Sequence, residues 1–411
     1  MILSRRTVLS LGFCFCFILF YTARCLSQSW SDVPQAVGLG EIVWSHSVNA
    51  NSSNYFNITV GHGVKNLHVP HPNFIPGTPK PLGSQYSKML VIPRLKTEDV
   101  DWIERELPGW GTAIYTADDP HAPLHPPKNK GHEVMIYLTF VVDFYDELPD
   151  IAVFLHAHQT AWHNDAIFNQ DAAEMLRRLS MDRVTREGYM NLRCTTAPGC
   201  PDWMHPGAVL EDESKQEEVL LARAWSEIFP DEPVPSVLAQ PCCAQFAVSS
   251  ERIRTIPRSR FIFYRDWLLQ TQLSDYIAGR IWEYLWQYVF TGNSVVCIEE
   301  SVCLCDGYGV CFGGPSEYQA FIELQESSKR LKDEVDDWSF LELEMEQAEK
   351  ERLNAAVQQS DSPDHEMTVA ELAAHQEQAV SDAIANALDR GKDPRIRALE
   401  AGRPWKEGDS F

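Results

Sequence analysis

Residues 153–165 read VFLHAHQTAWHND, an apolar run that stops abruptly and is followed by polar and aromatic side chains. A short, continuous apolar run with polar flanks is typical of a strand that is buried on both faces. In α/β proteins, ligand-handling residues gather where such strands end, because the sheet fixes them and the loop exposes them. The stretch therefore predicts an α/β fold and a candidate site at His156, His158, His163 and Asp165.

The sequence around this stretch alternates between short apolar runs and segments with helical spacing. Residues 88–94 and 112–115 predict strands, and residues 98–107 and 133–145 predict helices that follow them. Strand and helix in regular alternation predict an α/β domain with a mostly parallel mixed sheet. Further along, the pattern predicts helices at 171–180, 217–229 and 260–290, and a buried strand at 245–248.

Composition divides the chain into four segments. Residues 1–27 predict a targeting segment, and residues 28–84, rich in Asn, Ser and Pro, predict a glycosylated stem. Residues 85–315 hold the α/β core. Residues 316–411 are rich in Glu, Gln, Ala and Lys and predict an acidic helical tail, which would be a surface appendage or a partner-binding helix.

The N-terminus predicts entry into the secretory pathway. Arg5 and Arg6 precede an apolar run at 8–21 that is short for a full membrane span, so a signal anchor and a cleaved signal peptide both fit. Asn51 and Asn57 lie in glycosylation acceptor motifs. We expect a single-pass membrane protein of the Golgi or endoplasmic reticulum lumen, with a secreted protein as the alternative.

The net charge bears on the binding partners of the chain, and the cysteine content bears on its disulfides. The formal net charge of −23 disfavours nucleic acid as a partner. Eight cysteines lie beyond the targeting segment, and in an oxidising compartment they predict up to four disulfides, with a zinc knuckle as the alternative. They are Cys194, Cys200, Cys242, Cys243, Cys297, Cys303, Cys305 and Cys311.

The spacing of these cysteines suggests local pairings. A Cys194–Cys200 disulfide would close a tight loop, and the cysteines at 303–311 would fix the last segment of the core. Adjacent cysteines do not bond each other easily, so we expect Cys242 and Cys243 to reach different partners.

Three histidines and one aspartate behind the predicted strand are candidate catalytic residues or metal ligands. His156 and His158 are two residues apart on an extended segment and point the same way, while His163 or Asp165 could approach from the next turn. Imidazole and carboxylate ligands suit Zn²⁺ or Mn²⁺. The alternative is a structured loop in which these side chains bind the backbone.

Three more residues are candidates. Asp118, in an acidic pair after the second strand, would bind a cofactor or form an ordinary Asp-Pro turn. Arg94, at the end of the first strand, would shape a ligand cleft or form a surface ion pair. Glu283 is a candidate general base or a buried helix carboxylate bonded to the backbone.

The chain resembles the fungal domain of unknown function 3431 family over about residues 88–313. The matching stretches are 91–94, 98–102, 129–133, 137–139, 145–150, 153–158, 162–165, 188–194, 242–248, 283–286 and 303–309. The layout of this family is similar to that of nucleotide-sugar-dependent glycosyltransferases of the A type. That likeness implies one glycosyltransferase-like α/β domain, although a clear Asp-x-Asp metal motif is missing.

Three functions remain open at this point. The first is a luminal, membrane-anchored glycosyltransferase-like enzyme that binds a sugar nucleotide near Arg94 and Asp118 and acts on a small molecule or glycan. The second is a non-catalytic luminal scaffold that holds a protein partner through the acidic tail. The third is a tailoring enzyme of fungal secondary metabolism that uses the histidines.

Overall fold

A computed structural model of the chain describes residues 72–344, 368–407 and 409. The predicted targeting segment, Asn51, Asn57 and most of the predicted stem lie outside these residues. Among the helices of the described residues, none is long and apolar enough to cross a membrane.

A mixed five-stranded sheet forms the centre of the α/β domain. Its strands lie in the order β2-β1-β3-β5-β4; β1 is parallel to β2 and β3, and β5 is antiparallel to β3 and β4. The strands are β1 (Lys88–Arg94), β2 (Gly111–Thr116), β3 (Ile151–Phe154), β4 (Tyr189–Asn191) and β5 (Phe246–Ser249). The prediction of a mixed sheet is confirmed, and β4 is a strand that the sequence pattern missed.

Helices cover the sheet and extend beyond it. The first six are α1 (Trp102–Glu106), α2 (Glu133–Asp143), α3 (Ala172–Arg178), α4 (Met181–Glu187), α5 (Glu218–Ile228) and α6 (Ser250–Arg254). The others are α7 (Arg258–Gln270), α8 (Asp275–Glu283), α9 (Trp286–Thr291), α10 (Glu300–Tyr308), α11 (Pro315–Glu344), α12 (Val369–Arg390) and α13 (Pro394–Glu400). The helical region predicted at 260–290 is therefore three helices, α7 to α9.

The strands bury both faces, which explains their continuous apolar runs. In β3, Ala152 and Phe154 point into one core cluster, and Ile151 and Val153 point into a second cluster on the other face. Helices α2, α5 and α7 to α9 supply the first cluster, where the rings of Phe154 and Phe246 lie 4.8 Å apart. Helices α1, α3, α4 and α10 supply the second. The sheet is thus the middle of three layers.

Four disulfides pair all eight cysteines that were predicted to form them. They are Cys194–Cys303, Cys200–Cys297, Cys242–Cys243 and Cys305–Cys311. The expected Cys194–Cys200 pairing is wrong, and so is the expectation that Cys242 and Cys243 reach different partners. Cys194 and Cys200 each reach the segment around α10, because the loop that carries them packs against it. Cys242 and Cys243 bond each other.

Helices α11 and α12 pack along one another, and α12 contacts the core. Ala387 of α12 is buried, and its carbonyl accepts a hydrogen bond of 3.0 Å from the Cys311 amide. At the end of α12, Gly391 meets Gly309 so closely that a Cβ on Gly391 would lie 1.9 Å from the Gly309 carbonyl oxygen. Only glycine fits at this backbone contact.

Asp306 in α10 joins the C-terminal helices to the core. Its buried carboxylate lies 2.7 Å from Arg186, 3.4 Å from Arg183 and 2.6 Å from Arg403. Arg397 of α13 donates a 2.7 Å hydrogen bond to the Asp306 carbonyl. Burial alone would raise the pKa of Asp306, but Arg183, Arg186 and Arg403 outweigh it and hold that pKa below its ordinary value.

We predict that Asp306→Asn lowers the free energy of unfolding by about 3–5 kcal/mol, because it leaves buried guanidinium groups without their counter-charge. Because the pKa of Asp306 is depressed in the folded state, the ionised carboxylate stabilises the fold at any pH above the pKa of an unfolded aspartate. This stabilisation is lost as the pH falls through the pKa of Asp306 in the folded protein. The difference in unfolding free energy between wild type and variant should therefore shrink in acid. Urea unfolding at neutral and acid pH measures this.

The matched control is Asp389→Asn, which removes an exposed carboxylate paired with Lys392 at 3.0 Å. Exposed pairs of this kind stabilise little, so we expect no measurable change. Equal losses in the two variants would contradict the role given to Asp306.

Candidate functional site

Three parallel strands end at one edge of the sheet. The register pairs Arg94 at the end of β1 with Thr116 at the end of β2, and pairs Val91 with Phe154 at the end of β3. The segments that follow these strands, which carry Asp118 and His156, therefore begin at the same carboxyl edge. This is the edge at which open α/β sheets bind ligands.

His156 is bound to the segment that leads into β5. Its Nε2 donates a 2.8 Å hydrogen bond to the Cys243 carbonyl, and its backbone amide donates to Oε1 of Gln245 at 3.2 Å. The proton must therefore sit on Nε2, and in the neutral ring Nδ1 carries the lone pair. The His163 ring stacks on His156 with 4.7 Å between centroids, and Trp162 lies 4.4 Å beyond it.

His158 lies at the surface of the same edge, beside a carboxylate. Its Nε2 is 3.7 Å from Oε1 of Glu98, and each side chain is about a third exposed or less. Two ligands that each lie about 2.1 Å from a tetrahedral metal are about 3.4 Å apart, so this pair has a separation compatible with a shared ion. Trp102 donates a 2.8 Å hydrogen bond to the Ala157 carbonyl and fixes the backbone between the two histidines.

Asp165 is buried in a structural hydrogen-bond network. One carboxylate oxygen accepts a 2.7 Å bond from the Cys194 amide, and the other accepts bonds from the Thr195 amide and hydroxyl at 2.9 and 2.6 Å. Neighbouring Asn164 accepts a 3.0 Å bond from Gln245. Both oxygens of Asp165 thus hold the loop after β4, and its geometry agrees with the structured-loop alternative.

Glu283 reaches the same backbone turn as His156. Glu283 is buried, with 8% of the residue exposed, and its Oε1 accepts a 2.6 Å hydrogen bond from the Cys243 amide. Its own carbonyl accepts a bond from the Gln240 side chain. Cys243 therefore binds His156 through its carbonyl and Glu283 through its amide.

Arg94 and Asp118 lie on the other side of the edge. Nε of Arg94 is buried and makes no hydrogen bond within the described part of the chain. Asp118 accepts a 2.9 Å bond from the Lys96 amide, and Asp119 pairs with the Lys96 ammonium at 3.0 Å. The pKa of Asp119 is lowered, mainly by the bond to the Lys96 side chain and secondly by the hydrogen bond from the His121 amide. The acidic pair thus holds the loop after β1.

The expected cluster of three histidine ligands is not assembled. Within the described ranges, the groups with three ligand atoms close enough for one ion are Cys242, Cys243 and Glu283, and Cys305, Cys311 and Glu400. Their sulfurs are already joined in disulfides. A metal at this edge would therefore be held by the Glu98–His158 pair with ligands from solvent or substrate.

Sequence reasoning missed Glu98, Gln245 and the turn at Cys243. Glu98 lies in one of the stretches that carry the family resemblance, but its distance from His158 in the chain gave no reason to pair them. Two cavities within the described residues, of about 310 and 360 Å³, are lined by residues other than these candidates. The candidate site therefore depends on the strand ends and on the contacts beside them.

Residues 90–306 match the model of a family described as "Protein of unknown function (DUF3431)". The chain belongs to this family. The matched span begins within β1 and holds every candidate residue of the carboxyl edge, from Arg94 to Glu283. No curated protein and no solved structure is significantly similar to the chain.

We predict that Asp165→Asn destabilises the protein by about 1–3 kcal/mol. The side-chain NH₂ of the new asparagine would face either the Cys194 amide or the Thr195 donors, which then lose their acceptor. The control is Asp99→Asn, an exposed position where the remaining amide oxygen can still accept the bond from the Asp101 amide. Thermal unfolding of both variants measures the difference. A loss of metal affinity in Asp165→Asn without any loss of stability would show that the structural role is wrong.

Proposed function

We propose that the carboxyl edge of β1 to β3 is the active site of a transferase that moves a sugar from a nucleotide-linked donor to an acceptor hydroxyl. The observation that carries the proposal is the placement of Arg94, the Glu98–His158 pair and His156 where parallel strands end. A mixed sheet of this layout is in keeping with the glycosyltransferase-like fold expected from the sequence, which is an argument from layout alone.

Arg94 is the proposed diphosphate contact. A guanidinium binds phosphate oxygens through two parallel N–H bonds. Arg94 is partly exposed while its Nε is buried, so the terminal nitrogens of the guanidinium are the proposed phosphate donors. Lys96, two residues on, is tied to Asp119. Arg94 is therefore the cation of this edge that is best placed to contact a ligand.

The Glu98–His158 pair is the proposed metal site. Nitrogen and carboxylate ligands suit Mn²⁺ or Zn²⁺, and an ion held by only two protein ligands keeps positions for phosphate oxygens and water. When bound, the ion would neutralise charge on the leaving diphosphate. The pair would take the place of the missing Asp-x-Asp motif.

His156 and Glu283 are the proposed base and its neighbour. In sugar transfer, the bond from the sugar carbon to the diphosphate oxygen breaks and a bond to the acceptor oxygen forms. The acceptor hydroxyl must give up its proton, and the imidazole of His156, which its hydrogen bond to the Cys243 carbonyl holds at this edge, is the proposed acceptor of that proton. Glu283 fixes the Cys243 turn that orients this ring.

The proposed compartment is the secretory lumen, with the N-terminal segment as the anchor or signal. Four disulfides support this, because disulfides persist in oxidising compartments.

We expect one nucleoside diphosphate among those of uridine, guanosine and adenosine to bind the protein when Mn²⁺ is present. Arg94→Ala should weaken that binding by about tenfold or more, because a charge-assisted phosphate contact is lost. Isothermal titration calorimetry measures it. Arg177→Ala, which removes an exposed arginine on α3, should bind like the wild type. Binding of none of the three, with or without Mn²⁺, would show that the proposal is wrong.

We also expect the purified protein to bind one equivalent of Mn²⁺ or Zn²⁺. Glu98→Gln and His158→Ala should each weaken the binding by about tenfold or more, since each removes one of two protein ligands. Glu104→Gln, at an exposed position on α1, is the matched control. Unchanged affinity in both ligand variants would place the metal elsewhere.

The exposed acidic side chains of α11 favour the partner-binding function as a second candidate. Glu323, Glu326, Asp333 and Glu334 all face solvent. They offer a surface for a basic protein partner. This candidate is preferred if neither nucleotide nor metal binds.

A further inference from the structure

Cys242 and Cys243 form a disulfide within the turn that leads into β5. The sequence separation of the two cysteines is 1, and both residues are buried. The turn is part of the wall of the carboxyl edge, because Cys243 binds both His156 and Glu283. Nothing in the transferase proposal uses the sulfur atoms themselves.

The backbone of this turn has a conformation that its side chains disfavour. Cys243 has a φ of 91° and Ala244 a φ of 49°, both in the left-handed region. Residues with a Cβ rarely adopt this region, because the Cβ approaches backbone atoms too closely. Two consecutive residues in this state need a constraint from outside the backbone.

The conformation decides where the peptide groups of Cys243 point. With the observed φ, the carbonyl accepts the bond from Nε2 of His156 at 2.8 Å and the amide donates to Glu283 at 2.6 Å. A return of φ to negative values would rotate these two groups away from their partners. The ring closed by adjacent sulfurs restricts that rotation.

We propose that the Cys242–Cys243 disulfide is a positioning element, which holds the Cys243 peptide groups so that they orient His156 and Glu283. The inference rests on the proposed function in one respect, because the proposed function is what gives His156 and Glu283 a role at an active site. The disulfide itself contacts no reacting atom. Its effect passes through the backbone.

The test compares full-length protein with three variants, and its readout is independent of activity. The first variant, Cys242→Ser/Cys243→Ser, removes the constraint. The second, Cys305→Ser/Cys311→Ser, removes another short-range disulfide and is the matched control. The third, Cys242→Ser/Cys243→Gly, also removes the disulfide, but it places glycine where φ is 91°, and glycine adopts that region readily.

Nuclear magnetic resonance of ¹⁵N-labelled histidine follows the Nε2–H group of His156. Because this proton is hydrogen-bonded to the Cys243 carbonyl, it should exchange slowly with water in the wild type and in the Cys305/Cys311 variant. In the double serine variant we expect exchange to accelerate by about tenfold or more, which corresponds to about 1.4 kcal/mol. The glycine variant should recover at least half of the protection on a logarithmic scale.

Each outcome decides the proposal. Loss of protection in the double serine variant, with recovery of protection in the glycine variant, supports the proposal. If the disulfide only stabilised the fold, glycine at position 243 would not restore the protection of His156. Unchanged exchange in the double serine variant overturns it, and so does equal loss in the Cys305/Cys311 variant. If the double serine variant does not fold, the glycine variant is compared directly with the wild type, and complete loss of protection there overturns the proposal.

A failure of the transferase proposal would be visible separately. Nucleotide binding would then be absent in the wild type, while the histidine exchange would still report whether the turn positions His156. If the transferase proposal holds, the double serine variant should lose mainly kcat, with KM for the donor changed less, because Arg94 and Glu98 are not part of the turn.

Discussion

The hydrogen bonding of β3 to two neighbours of opposite direction is the constraint on which the rest of the structure depends. β1 runs parallel to β3, so the segments that follow both strands share one edge. β5 runs antiparallel to β3, so the residues that precede β5 arrive at that same edge. Cys243 and Gln245 therefore meet His156 although about 90 residues of chain separate them. The candidate site is assembled by strand direction.

This arrangement also gives the side chains of the site backbone partners. Most of its polar side chains are bonded to backbone groups: His156 to the Cys243 carbonyl, Trp102 to the Ala157 carbonyl and Glu283 to the Cys243 amide. Backbone partners are held by the sheet and its loops, so these side chains have little rotational freedom. Preorganisation of this kind favours chemistry in which charge develops at a fixed point. Glu98, His158 and Arg94 lie where a ligand can reach them.

Much of the fold could be predicted from the sequence, because its signals are local. The runs predicted at 88–94 and 112–115 each gave a strand, and the apolar run that begins at Val153 lies in β3. The direction of β5 could not be predicted, since all four of its residues are buried and its short run looks the same in a parallel or an antiparallel pairing. For the same reason the contact of Cys243 with His156 was not foreseen. The pairing of adjacent cysteines was predicted wrongly, because it needs a left-handed turn that spacing does not reveal.

The partners of Asp306 come from both sides of the boundary of the family match. The family match ends at this residue, within α10, yet two of its four arginine contacts come from Arg397 and Arg403, more than 90 residues later. Gly309 and Gly391 meet just beyond the same point. Residues beyond the family match therefore take part in the buried charge cluster of the core. A protein shortened to the matched span would leave Asp306 without its contacts to Arg397 and Arg403.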